Sequence, residues 1–279
     1  MLVAPQKYSY MMEGPGEEER LSFKDNNEAT LAQLMATGFG KLKHNPYVID
    51  AGAGVGVVAR QMVTALDSIY QKAEMSLLDG SSLRLEKAAE HIGDYPNIKT
   101  NYIECNLDDI PLPDNTADYI FCRFVFEYLS NPQSVFDELT RVLKVGGKLV
   151  IGDLDHNCLN HYPFPEELQN NLDELINVIQ RMGLLDFYAG RKIYHYFHKK
   201  GFENIHVNIY PHHLFYGDLR PTDYENWRIK LERLIELQKC GKLELSYQLS
   251  EFKDKYLNFL LSPERFSYTP LILVEGQKP

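Results

Sequence analysis

The segment Tyr47-Val-Ile-Asp-Ala-Gly-Ala-Gly-Val-Gly56 places three glycines at alternate positions directly behind an acid. A short apolar run ending in Asp50 reads as a strand, and Val57-Val-Ala-Arg-Gln-Met62 reads as the opening of a helix. Glycine has no Cβ, so it takes positive φ readily and lets a ligand come close to the backbone. A helix that begins after such a turn presents free N–H groups and a partial positive charge. Loops that hold a pyrophosphate usually space their glycines as G-x-G-x-x-G, whereas Gly52, Gly54 and Gly56 fall as G-x-G-x-G. A carboxylate at Asp50 would repel phosphate and suits a ligand that carries an ammonium group. A tight strand–helix turn without a ligand would use the same residues, and on this segment alone both readings stand.

The surrounding chain has the make-up of an ordinary folded domain. Its 279 residues are 44% hydrophobic and 24% charged, enough for one large domain or one domain with a sizeable insertion. The net charge of −10 argues against a broad nucleic-acid surface, which needs a basic face to neutralise phosphates. No apolar run approaches the ~20 residues that span a bilayer, and Met1-Leu-Val-Ala-Pro-Gln-Lys lacks a signal-peptide design. The cysteines at 105, 122, 158 and 240 show no paired spacing, so neither a disulfide framework nor a zinc site is expected. A cytoplasmic protein is the default expectation.

The elements that must position the glycine run follow from periodicity. After an irregular start, Glu17 to Phe39 reads as helical, with a break near Asp25-Asn-Asn27. Strand and helix then alternate. Strands are expected at Val48–Asp50, Met75–Asp79, Asn101–Glu104, Ala117–Cys122 and Lys148–Asp153, with helices over 56–70, 81–92, near 124–129, and 133–144. Such alternation implies a mainly parallel sheet covered on both faces, whose ligands bind outside the carboxyl ends of the strands. Later come helices at Phe164–Met182 and Arg191–Lys200, a strand at Ile205–Tyr210, a long helical stretch at Thr222–Leu261, and an apolar strand at Leu271–Glu275.

These motifs, taken in order, resemble a class I S-adenosylmethionine-dependent methyltransferase of the small-molecule, methyltransferase type 11/25-like kind. Val48-Ile-Asp-Ala-Gly-Ala-Gly-Val-Gly56 is similar to the family's first motif, D-x-G-x-G-x-G. The resemblance implies that Gly52, Ala53, Gly54 and Gly56 pack beneath the methionine part of the cofactor, with Asp50 at its amino group. Met75-Ser-Leu-Leu-Asp79-Gly-Ser-Ser82 ends its strand in an acid. A carboxylate there accepts two hydrogen bonds from a vicinal diol, so Asp79, followed by Gly80 and Ser81, is the expected ribose site. Asp79 lies 27 residues after Gly52, beyond the ~20 of the dinucleotide pattern, and it would equally serve as N-cap of the next helix.

Tyr102-Ile-Glu-Cys-Asn-Leu-Asp-Asp-Ile-Pro-Leu-Pro113 resembles the family's adenine segment. Asn106 stands where the family has an acid, and its amide oxygen still accepts from an adenine amino group. Leu107 would lend its backbone N–H. Asp118-Tyr-Ile-Phe-Cys-Arg-Phe-Val-Phe-Glu-Tyr-Leu129 resembles the fourth-strand motif, which implies that Arg123 and Phe124 pass beneath the sulfonium. Glu127 and Tyr128 lie where many relatives carry a histidine. Leu139-Thr-Arg-Val-Leu-Lys-Val-Gly-Gly-Lys-Leu-Val150 resembles the family's R-V-L-K-P-G-G-x-L segment, with Gly146 and Gly147 as helix cap and turn. Glu17-Glu-Glu-Arg-Leu21 is similar to the entry helix of a subset of the family, which implies that Arg20 sits on the cofactor's carboxylate, a match for its planar fork; a solvated helix face among acids is the other reading.

Methyl transfer from a sulfonium is an in-line displacement in which positioning supplies much of the rate, and a base matters when the acceptor must lose a proton. His156, in Asp153-Leu-Asp-His-Asn157, is the general-base candidate, oriented by Asp155 or Asp153; a loop histidine without a catalytic role is the other reading. The histidines at 195, 198, 206, 212 and 213 form no metal pattern, and no metal is expected. The aromatics of the later half, among them Tyr188, Phe215 and Trp227, either pack a helical lid or line an apolar acceptor pocket.

The expectation is therefore an α/β, Rossmann-like three-layer sandwich. It has a mostly parallel seven-stranded sheet, an antiparallel C-terminal strand and a helical lid. Residues 1–45 would form N-terminal lid helices, 46–220 with 263–279 the cofactor-binding domain, and 221–262 a helical insertion. The implied cofactor is S-adenosyl-L-methionine, with S-adenosyl-L-homocysteine as product and a small organic molecule as methyl acceptor. A protein or RNA methyltransferase and a non-catalytic, regulatory S-adenosylmethionine-binding module are the alternatives. A nicotinamide dehydrogenase is disfavoured by the glycine spacing and by Asp50. No membrane or nucleic-acid partner is expected, and the chain would be a monomer or homodimer.

Overall fold

Alternate residues of the central strands serve opposite faces of one sheet. In a computed structural model, which describes residues 27–279, Val48, Tyr119, Phe121 and Val150 pack into one apolar cluster. Their neighbours Ile49, Ile120, Cys122, Leu149 and Ile151 pack into another. Side chains one residue apart on a strand point to opposite sides, so a sheet buried on both faces reads as a continuous apolar run.

The strands are β1 (Tyr47–Ala51), β2 (Ala73–Asp79), β3 (Ile98–Glu104), β4 (Ala117–Arg123), β5 (Leu143–Leu154), β6 (Asn160–Tyr162), β7 (Glu203–Phe215) and β8 (Phe266–Gln277). Their order is β3-β2-β1-β4-β5-β8; β6 pairs with the first residues of β8, and β7 also pairs with β8. The first five are parallel, whereas β8 runs antiparallel to β5, β6 and β7. Strand order reverses between β1 and β4, which opens a crevice at their carboxyl ends. The glycine loop leaves β1 at that crevice.

Helices α1 (Asn27–Ala36), α2 (Val57–Ile69) and α3 (Ser82–Ile92) cover one face, and α4 (Pro132–Val142) and α6 (Ala189–Lys200) cover the other. The remaining helices, α5 (Glu166–Arg181), α7 (Pro221–Lys239) and α8 (Leu249–Leu261), build a third cluster of their own. Leu172, Leu175 and Ile179 of α5 meet Leu231 and Leu234 of α7 and Phe252 and Tyr256 of α8 there. This cap holds Trp227 and Phe215 in its interior. Among the described residues no helix is long and apolar enough to cross a membrane.

Four details differ from the sequence reading. The sheet has eight strands rather than seven, because Asn160–Tyr162 adds three residues against Tyr268–Phe266, too short a piece to show a period. β7 runs on through Pro211 to Phe215, which an edge strand tolerates because the missing N–H need not face a partner. The Thr222–Leu261 stretch is two helices, divided after Lys239 where Gly241 takes φ +68°. Gly146 and Gly147 lie inside β5 rather than capping a helix. α4 ends earlier, at Val142, and the N–H of the following Leu143 bonds to the Leu139 carbonyl.

Candidate functional site

The turn after β1 is tied to the end of β2. The N–H groups of Gly52 and Ala53 both donate to the Leu78 carbonyl, at 2.8 and 2.9 Å, and the Gly54 N–H donates to Asp79 Oδ2 at 2.8 Å. Gly52 takes φ +78°, and a Cβ there would lie 2.3 Å from Val125 Cγ2. Packing and backbone conformation thus both demand glycine at this position. Gly54 also has positive φ, +54°, but a Cβ would meet nothing within 4 Å. Space lies open above the centre of the loop, as a close-approaching ligand requires. Gly56 caps α2 and brings it against Ala88 of α3.

Asp50 is 3% exposed, and its Oδ2 has no hydrogen-bond partner among the described residues. Burial pushes its carboxyl up to about 7, against the lowering pull of Arg123 and with a further push from Asp79. A buried, unpaired carboxyl is costly unless a cation or donor reaches it. This one lies beside the open glycine loop, where an ammonium group would satisfy it. This acceptor therefore fits the amino group of S-adenosylmethionine.

Asp79 closes β2 with both oxygens engaged, Oδ2 by Gly54 and Oδ1 by the Ser81 N–H at 3.0 Å. A carboxylate has about four acceptor sites, so each oxygen retains one for a diol. The N-cap of α3 is Ser81, whose Oγ accepts from the Arg84 N–H; Asp79 is one step outside the helix. A Cβ at Gly80 would make only an ordinary contact, 3.9 Å, with the Cys105 carbonyl oxygen. The Cys105 N–H bonds to the Asp79 carbonyl at 3.0 Å, and this bond holds the following turn beside the acid. That turn carries Asn106, which is exposed, and half-buried Leu107.

Arg123 ends β4 and reaches back to α1. Its Nη1 donates to Thr30 Oγ1 at 2.9 Å and to Gln33 Oε1 at 3.2 Å, and its guanidinium carbon lies 4.9 Å from the centre of the Phe124 ring. Phe124 takes φ +59° and packs its ring at 4.9 Å from that of His212. Thr30 and Gln33 were not among the expected site residues; on a helix of mixed polarity nothing marks them as partners of a residue on a distant strand. Arg20 lies outside the described residues.

Beyond β4 and β5 sits a second polar group. Glu127, 2% exposed, accepts from Asn157 Nδ2 at 2.6 Å, and its backbone N–H donates to Asp153 Oδ2 at 3.0 Å. Burial and the neighbouring Glu127 push the Asp153 carboxyl well above the usual carboxylate range. Neither expected partner orients His156. Asp153 is bound by backbone N–H groups, and Asp155 forms a two-pronged pair with Arg191 at 2.6 and 2.8 Å. His156 instead stacks on Tyr188 at 5.6 Å, and burial lowers its pKa. Its Nδ1 has no partner among the described residues. His161 is bonded on both ring nitrogens, to Ser267 and Tyr256, and burial drives its pKa down to about 3. Among the described residues no group of three His, Cys, Asp or Glu converges as a metal site.

Comparison with known proteins bears on these elements directly. Residues 49–151 match the family model described as a methyltransferase domain. The chain is 27% identical over 125 residues to a demethylmenaquinone methyltransferase of Chlamydia pneumoniae, a match covering 45% of this chain and 48% of the relative. It is 34% identical over 104 residues to a chloroplastic 2-methyl-6-phytyl-1,4-hydroquinone methyltransferase of Oryza sativa subsp. japonica, covering 37% of this chain and 29% of the relative. The match thus spans about half or less of the length of these curated relatives. The structure of phosphoethanolamine N-methyltransferase 2 from Haemonchus contortus in complex with S-adenosyl-L-methionine superposes with a TM-score of 0.55. It does so at 21% identity, over 95% of this chain and 57% of that one, a likeness of fold. Residues 49–151 thus resemble a methyltransferase domain, and the Rossmann-like sheet that carries them is the fold shared with that solved structure.

Proposed function

We propose that the chain transfers a methyl group from S-adenosylmethionine to a small organic acceptor. The observation that carries this reading is the unpaired, buried carboxyl of Asp50 beside a glycine loop clamped to Asp79. Asp50 takes the amino group, and the open face of Gly54 admits the methionine chain. Asp79 accepts from the ribose hydroxyls, and Asn106 with the Leu107 N–H meets the adenine edge. Arg123 and Phe124 floor the crevice near Asp50. When bound, the cofactor supplies an electrophilic methyl carbon whose bond to sulfur breaks with the electron pair on sulfur.

The remaining work falls to positioning and, for an acceptor that sheds a proton, to a base. His156 fits that role: burial favours its neutral form, and Nδ1 has no partner among the described residues. The acidic charge balance and the apolar cap favour a small acceptor over RNA.

Thermal-shift and calorimetric titrations with S-adenosylmethionine, S-adenosylhomocysteine and NAD test the reading, with Asp79→Ala as control. Stabilisation by the first two and not by NAD is expected. Stabilisation by NAD alone overturns the reading. Binding without transfer of labelled methyl to any of a panel of organic acceptors would identify a regulatory module instead.

A further inference from the structure

Between the cap helices and the segments that follow β4 and β5 lies a cavity. Leu172, Leu175 and Ile179 of α5, Leu231 and Leu234 of α7, and Phe252 of α8 give it apolar walls. Tyr128 and Asn157, which follow β4 and β5, also line it. Tyr128 lies three residues after Val125, the side chain seated on Gly52. The cavity thus lies under the cap, on the side of the sheet where β4 and β5 end.

Two residues that line this cavity each carry a buried polar atom without a partner among the described residues: Asn157 Oδ1 and Trp227 Nε1. The Asn157 amide cannot turn over to relieve its oxygen. Its Nδ2 donates to Glu127 Oε2, and a carboxylate oxygen facing the amide oxygen would repel it. A buried acceptor or donor left unmet is costly, and native proteins rarely leave such groups without a purpose. The other polar groups are already committed. The Tyr256 hydroxyl bonds to His161 Nε2 at 3.1 Å, and burial pushes the Cys158 thiol up to about 12, so it stays a neutral thiol. Lys230 lies over the Trp227 ring, its Nζ 4.5 Å from the ring centre, and no carboxylate lines the cavity.

We infer that this cavity is the acceptor site and that it selects an apolar molecule bearing a hydroxyl group. The hydroxyl donates to Asn157 Oδ1, an ether, carbonyl or second hydroxyl oxygen accepts from Trp227 Nε1, and the hydrocarbon body fills the space between α5, α7 and α8. The inference rests on the methyltransferase reading for its meaning but not for its test. Asn157 becomes a specificity-determining residue held in place by Glu127.

Trp227 is the single tryptophan of the chain, so its emission reports the cavity. The full chain, saturated with S-adenosylhomocysteine, is titrated with 1-decanol, decanoate and ethanolamine phosphate, each below its solubility limit. Expected is a saturable change in emission with 1-decanol, binding weaker by about tenfold with decanoate, and no response to ethanolamine phosphate. Leu175→Phe, which fills the cavity from α5, should abolish the 1-decanol response. Asn157→Leu should weaken it about tenfold. Both variants should bind S-adenosylhomocysteine as the parent does.

No saturable response to 1-decanol, or tighter binding of decanoate or the phosphate, overturns the inference. Failure of S-adenosylhomocysteine to bind overturns the methyltransferase reading instead, while the 1-decanol titration of the free chain still decides the cavity. The Leu175→Phe arm keeps the test valid if loss of the Asn157 amide unfolds the chain around Glu127.

Discussion

The Asp79 carboxylate accepts a hydrogen bond of 2.8 Å from the Gly54 N–H, so the acid expected at the ribose also fixes the loop expected beneath the methionine. One substitution should therefore affect two parts of the site. Hydrogen bonds to charged groups contribute ~1.5–3 kcal/mol each. Asp79→Ala should weaken S-adenosylhomocysteine binding by about 10–100-fold and lower the melting temperature of the unliganded chain as well. Asp79→Asn, which keeps one acceptor oxygen, should fall between the two. Calorimetric titration together with thermal unfolding checks both effects; a loss of affinity with no loss of stability would mean that the clamp on Gly54 carries no weight.

The loop glycines should separate clash from strain. Gly52→Ala must place a methyl 2.3 Å from Val125 Cγ2 at φ +78° and should destabilise by about 2–4 kcal/mol. Adding Val125→Ala removes the clash and should recover part of that loss, leaving the strain of the left-handed backbone. Gly54→Ala meets no neighbour and should cost only ~1–2 kcal/mol in stability. Its methyl group would nevertheless stand in the space proposed for the ligand, so its loss in cofactor affinity should exceed that of the double variant. Chemical denaturation and calorimetry together resolve the two contributions.

Asp50 should make both stability and binding depend on pH, in opposite directions. Its carboxyl titrates near 7 in the fold because of burial, against ~3.9 in an unfolded chain. Between those values the folded state binds the extra proton, so stability falls as pH rises through this window. The full span corresponds to about 4 kcal/mol. An ammonium ligand prefers the ionised carboxyl, so binding should strengthen over the same interval and release a proton. Calorimetry in buffers of different ionisation enthalpy measures that release near pH 6. Asp50→Asn should remove it and flatten the stability profile.

Sequence adjacency decided what could be read before the fold was known. Asp50, Gly52 and Gly54 lie within five residues, and the apolar runs around them mark the strands that hold them, so the loop and the parallel sheet were legible. Asp79 was legible as an acid ending a strand. Its bond to Gly54 was not, nor was the choice of Ser81 as helix cap. Contacts between distant segments left no local mark: Arg123 meets Thr30 and Gln33 across 93 and 90 residues, and Asn157 meets Glu127 across 30. The same holds for the cap. Leu168, Leu172 and Leu175 of α5 have an ordinary amphipathic spacing, and only the packing shows that they join α7 and α8.

Arg123 tests whether α1 and Asp50 are coupled through one side chain. It donates to Thr30 and Gln33 on α1 and lowers the pKa of Asp50 by its charge. Arg123→Met keeps much of the length of the side chain and removes both functions. Loss of the two bonds should free α1, seen as faster hydrogen exchange at residues 27–36 and about 1–3 kcal/mol lower stability. Loss of the charge should move the Asp50 midpoint above 7, because only burial and Asp79 then act on it. S-adenosylhomocysteine binding at pH 7 should weaken accordingly and recover at higher pH. Arg123→Lys keeps the charge but lacks the planar fork. It should restore the midpoint near 7 while leaving α1 in faster exchange. If lysine instead restores the helix and not the midpoint, the arginine acts on Asp50 through the position of α1 rather than through its own charge.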